Sequence, residues 1–222
     1  MKDIISAIVK YISEMINVIT NHGIWKVLEV IIITMMLTIA LNPEIILKIA
    51  EKEKTELSKA KKEFRKTNDP IIRSELHDAI YEVNACRASV LEFHNGKENP
   101  SGLGFFYADM NYEIIKDEYS YISEQYTNIN LSLLELPNIL YKDGYWYGTV
   151  EDLKAIDPKL GNMIEQNGTK WIAFLLLEGS VELGILEISF AEEPENKQEI
   201  GRKIRKLGTI VSGKLDFANR DK

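Results

Sequence analysis

Residues 170–190 read KWIAFLLLEGSVELGILEISF. Its two apolar runs, 171–177 and 183–190, are each of strand length, and Glu178, Gly179 and Ser180 between them are turn residues. The pair reads as two buried strands joined in a hairpin. Immediately downstream, 195–217 carries Ile200, Ile204, Leu207, Ile210, Val211 and Leu215 at helical spacing, which predicts a closing amphipathic helix.

The pattern continues upstream. Residues 150–167 read as a helix, with Thr149 as its N-cap and Asn167-Gly168 as its stop. Residues 141–147, with Asp143-Gly144 at their middle, read as a tight-turn strand pair, and 131–139 is a short apolar segment. Residues 88–93 alternate as a strand ended by the turn signal His94-Asn95-Gly96. Residues 102–115 predict a second, aromatic-rich strand containing Tyr107, Met110 and Tyr112. Asn68-Asp69-Pro70 predicts a helix start, with Pro70 in the first turn and Ile72, Leu76, Ile80 and Val83 on the apolar face. The expected fold is α+β: an antiparallel sheet with helices packed against one face.

Three further segments precede this domain, which is taken as 69–222. Residues 1–23 place Ile4, Ile5, Ile8, Val9, Ile12, Met15, Ile16 and Ile19 at helical spacing and predict an amphipathic helix. Ile24–Leu41 is the one segment read as a transmembrane helix. It is marginal, because Lys26 and Glu29 sit inside it, only 30–43 is free of charge, and Asn42-Pro43 breaks it. Residues 42–68 are dense in Glu and Lys and read as a charged helical stalk without an apolar heptad. Lysines on both sides of Ile24–Leu41 lean only weakly toward a cytoplasmic C-terminus.

Composition narrows the function classes. The chain has 222 residues and a formal net charge of −7, which argues against nucleic acid as a partner. Its one cysteine, Cys86, rules out an internal disulfide framework and reads as a small buried hydrophobe. The three histidines, His22, His77 and His94, are not spaced as metal ligands, so no metal is expected. Gly102 and Gly104 make no phosphate loop, because no Lys-Ser/Thr follows. No catalytic constellation stands out, so neither an enzyme activity nor a cofactor is expected.

The segments ASVLEFHNG, GLGFFYADMNYE and KWIAFLLLEGSVELGILEISF, followed by a helix, resemble the GAF/PAS family of sensor-like domains over 69–219. The resemblance implies a sensor or scaffold domain. The cyclic-nucleotide signature of that family is absent, and no Cys sits where a bilin would attach. The whole-chain order also resembles the holins of T-even phages. That resemblance implies a single-pass protein of the bacterial inner membrane that self-associates, with the lipid bilayer as partner, and permeabilises the membrane for host lysis. A regulatory protein or ligand would then act on a periplasmic globular domain. The alternative is a membrane-anchored GAF-like sensor or scaffold whose cytoplasmic domain binds a small ligand or a protein.

Two sets of candidate residues follow. Lys26, Glu29 and Pro43 define the membrane segment. Glu92, His94, Asn95, Tyr107, Tyr112 and Trp146 are the candidate lining of a ligand or partner pocket: Glu92 and His94 project to one side of a strand, and Tyr and Trp are enriched at binding hot spots.

Overall fold

The computed structural model describes residues 24–41, 43–98 and 104–219, with part of 10–20. The amphipathic helix expected over 1–23 lies mostly outside the described residues; those described there, such as Tyr11 and Ile16, are helical and exposed. The chain divides into two compact units, Met1–Ala60 and Lys61–Lys222.

Helix α1 spans Ile24–Leu41 and α2 spans Pro43–Glu82. Among the described residues, no helix is long and apolar enough to cross a membrane. This corrects the transmembrane expectation, and the reason lies in Lys26 and Glu29. Both occupy the first two turns of α1 and are exposed. The charge-free remainder, 30–41, rises about 18 Å at 1.5 Å per residue, against about 30 Å of hydrocarbon. Pro43 opens α2, where a proline fits the first helical turn. Exposed i,i+4 pairs, Glu44 with Lys48 at 3.8 Å and Lys52 with Glu56 at 4.0 Å, lie along its first half.

In the second unit, six strands form one antiparallel sheet among the described residues: β1 Arg87–Glu98, β2 Gly104–Ile115, β3 Ile129–Asn130, β4 Tyr145–Thr149, β5 Trp171–Glu178 and β6 Glu182–Phe190. Their order is β3-β2-β1-β6-β5-β4. The hairpin at 170–190 is β5 and β6, with Trp171 opposite Phe190 and Leu177 opposite Gly184. Strand β1 does not stop at His94-Asn95-Gly96; its pairing with β2 carries on to Glu98, opposite Gly104. Val90 faces Tyr112 and Leu91 faces Met110, so Asn111 is the extra residue of a bulge.

Helices cover both faces of the sheet, where the sequence pattern suggested one. On the first face, Ala88, Val90, Leu186 and Ile188 meet Ile72, Leu76 and Ile80 of α2. Ile204, Leu207 and Val211 of the closing helix complete this core. On the second face, Leu91, Ile172, Phe174 and Ile185 meet a cover built from several short elements. These are the single turns Ser123–Tyr126 and Leu131–Leu133, then α3 Leu136–Asp143, α4 Val150–Ile156 and α5 Pro158–Glu165. The closing helix is α6, Lys197–Leu215. It lies so near the sheet that a Cβ on Gly208 would come within 2.1 Å of Leu175 Cδ2.

Three local readings change. The expected hairpin at 141–147 is the end of α3 followed by β4, because Gly144 at φ 78° closes the helix in the left-handed region. The expected helix at 150–167 is two helices, broken at Asp157-Pro158. Asn68-Asp69-Pro70 lies inside α2 and does not begin a new helix.

Candidate functional site

The second face holds a cavity of about 290 Å³ between the sheet and its short helical cover. Leu91, Phe174 and Ile185 form the sheet side. Tyr126, Leu131, Leu134, Leu136, Leu160 and Met163 form the cover, and Asn128, Asn130 and Lys159 are its polar or charged lining residues.

The cover is fixed by two buried carboxylates. Asp157, 2% exposed, accepts from the Glu135 and Leu136 amides through Oδ2, at 2.8 and 3.2 Å, and from the Leu160 amide through Oδ1 at 3.1 Å. One side chain therefore caps the N-termini of α3 and α5 together, satisfying amides that have no partner within their own helices. Glu113 does the same for the turn carrying Tyr126: it accepts from the Ile122 amide at 3.0 Å and the Ser123 amide at 2.8 Å. Glu113 also accepts from Arg87 Nε at 2.9 Å, with both side chains buried. Arg87 Nη2 donates to the Ser120 carbonyl at 2.8 Å, while its buried Nη1 has no hydrogen-bond partner among the described residues.

One carboxyl lines the cavity itself. Glu187 is 2% exposed and accepts from Ser189 Oγ at 3.0 Å. Burial pushes it up from 4.5 to about 7; the Ser189 hydrogen bond and Arg87 act against the rise, and Glu113 adds to it. Burial likewise raises the Tyr126 phenol. The floor beside the cavity thus holds one guanidinium and two carboxyl groups, and the guanidinium donates through Nε to Glu113 and through Nη2 to the Ser120 carbonyl.

The residues singled out in the sequence lie elsewhere. Glu92 forms an ion pair with Arg65 of α2 and accepts from Asn111 Nδ2 at 3.1 Å. The Tyr112 hydroxyl accepts from Arg65 Nη1 at 2.7 Å and donates to Asp69 Oδ1 at 2.5 Å. Burial, with that donation, raises the Tyr112 phenol. His94 Nε2 lies 3.2 Å from Asp109 Oδ2, and its ring stacks on Tyr107 with centroids 6.0 Å apart. The backbone of Asn95 pairs opposite Phe106; its side chain lies outside the described residues. Trp146, on edge strand β4, packs 6.2 Å from Phe174. The structure therefore joins Glu92 to Tyr112, and His94 to Tyr107, but none of the six lines the cavity. Among the described residues, no three His, Cys, Asp or Glu side chains gather as metal ligands.

Arg87, Glu113, Glu187 and Asp157 escaped the sequence reading. A signal was there for Glu187: in ILEISF it interrupts an apolar strand at 187, and Ser189 follows on the same face.

No family model and no curated protein matches the chain. Among solved structures, the GAF domain of PixJ from Thermosynechococcus elongatus, in its blue-light absorbing form, aligns with a TM-score of 0.54 at 13% identity, covering 71% of this chain and 88% of that one. The GAF domain of a two-component sensor histidine kinase from Bacillus halodurans aligns at 0.47 and 11%, covering 64% of this chain and 91% of that one. The likeness to the PixJ GAF domain, with the absence of a helix long and apolar enough to cross a membrane among the described residues, overturns the holin expectation. The antiparallel sheet with its flanking helices is a GAF-like α+β fold.

Proposed function

We propose that this chain is a sensor module that binds a small, mainly apolar ligand in the cavity beneath α3 and α5. The observation that carries the reading is the cavity itself: about 290 Å³, walled by aliphatic and aromatic side chains, with one buried carboxyl in its lining. Concave, largely apolar sites with a few placed polar groups are the usual form of a small-molecule site. Cys86 is buried, donates its thiol to the Ser189 carbonyl at 3.1 Å and does not line the cavity, so the reading requires no covalent attachment. We also propose that the N-terminal unit serves attachment to a second copy of the chain. Trp25, Ile32, Ile33 and Met36 of α1 are all exposed, which supports this.

Fluorescence of the neutral dye N-phenylnaphthylamine, titrated with the full chain, tests the ligand reading. Saturable enhancement that is lost in Ile185→Phe, a substitution that fills the cavity, is expected. If that variant keeps its far-ultraviolet circular dichroism and still binds the dye as the parent does, the cavity is not the site. Light scattering on the full chain tests the attachment reading: Ile32→Lys with Met36→Lys is expected to lower the oligomeric mass, and an unchanged mass opposes it.

A further inference from the structure

We infer that the cavity takes an apolar molecule carrying a basic nitrogen, whose charged N–H donors pair with Glu187. The inference rests on the cavity being a ligand site. The floor is unbalanced in charge. Arg87 donates to Glu113 and to the Ser120 carbonyl, and Glu113 is further satisfied by backbone amides. Among the described residues, Glu187 accepts from the Ser189 hydroxyl at 3.0 Å, and the neighbouring Ser89 hydroxyl also favours its charged form. When ionised it is a carboxylate whose neighbouring cation, Arg87, is hydrogen-bonded to Glu113, in a site lined mostly by carbon. Such a group is stabilised by an opposite charge and by hydrogen bonds delivered to it.

The groups around Glu187 favour a cation over an anion. Glu113 on β2 adds a second negative charge, and Arg87 on β1 is the balancing positive one. Tyr126 and Cys86, two further titratable groups near it, have raised pKa values and are neutral at ordinary pH. Lys159 is exposed and lines the cavity from α5, where solvent weakens its charge. An entering carboxylate would add negative charge beside Glu187, whereas an amine supplies a further cation. Because burial raises the Glu187 carboxyl to about 7, a cationic ligand competes with a proton, and its affinity rises with pH.

Calorimetry with three probes of equal chain length, octylamine, octanol and octanoate, tests this on the full chain. Octylamine is expected to bind about tenfold tighter than octanol, the scale of one charge-assisted hydrogen bond, and octanoate weakest. Octylamine affinity is expected to rise severalfold between about pH 6 and about pH 8, while octanol affinity stays level. In Glu187→Gln the amine is expected to fall to the level of octanol. Octanoate binding as tightly as octylamine, or an amine affinity independent of pH, overturns the inference and leaves the ligand reading standing. Failure of all three probes and of the neutral dye overturns both.

Discussion

Arg87 is 1% exposed, and its ion pair with Glu113 holds β1, β2 and the turn at 122–123 in one arrangement. Removing one partner of a buried pair leaves an uncompensated charge. Arg87→Met is therefore expected to cost about 3–5 kcal/mol in urea unfolding. Glu187 acts in the other direction. The folded chain keeps its proton up to about 7, whereas the unfolded chain releases it near 4.5. Across that window the folded state binds more protons, so this group's contribution to stability falls as pH rises. The loss amounts to about 3 kcal/mol at about pH 8, and Glu187→Gln is expected to remove it, which melts over a pH series measure. At this scale the sequence is only partly legible. Glu92 and His94 draw the eye because they sit beside a turn signal, yet both belong to the opposite face from Glu187. A buried carboxyl is recognised by its partners, and Arg87 and Glu113 are 26 residues apart.

Elements were more legible where hydrophobic period speaks alone. The hairpin of β5 and β6 and helix α6 follow directly from apolar spacing. Proline and glycine signals misled where tertiary contacts override them. Pro70 removes a backbone donor inside α2, but Ile72, Leu76 and Ile80 are fully buried beyond it, and before it Arg65 is held by Glu92 and Tyr112. Helix continues because both flanks are docked. Pro70→Ala restores the missing N–H at an exposed position and is expected to stabilise the chain by about 1–2 kcal/mol in thermal melts. Gly144 carries the opposite lesson: its φ of 78° is needed to turn α3 into β4. Gly144→Ala is expected to destabilise by about 1 kcal/mol, although its Cβ would meet nothing within 4 Å.

In the second unit as a whole, β1 and β6 serve two layers at once. Val90 and Leu186 face α2 and α6, while Leu91, Ile185 and Glu187 face the cavity. The approach is close: a Cβ on Gly184 of β6 would come within 2.1 Å of the Leu91 carbonyl oxygen. A shift on the cavity side is thus passed to strands that the long helices also grip. The cavity was not legible in the sequence, because its cover is assembled from short turns and helices whose apolar residues show no sustained period. What joins its helices α3 and α5 is Asp157. The Glu135, Leu136 and Leu160 amides all end on its one carboxylate. Neither α3 nor α5 can swing away without breaking bonds that the other shares, so these two helices form a latch with a single catch. Hydrogen exchange at these three amides is expected to report one common opening rate. Ligand entry would then be an all-or-none event timed by that catch, and Asp157→Asn would quicken it without altering the shape of the chamber behind.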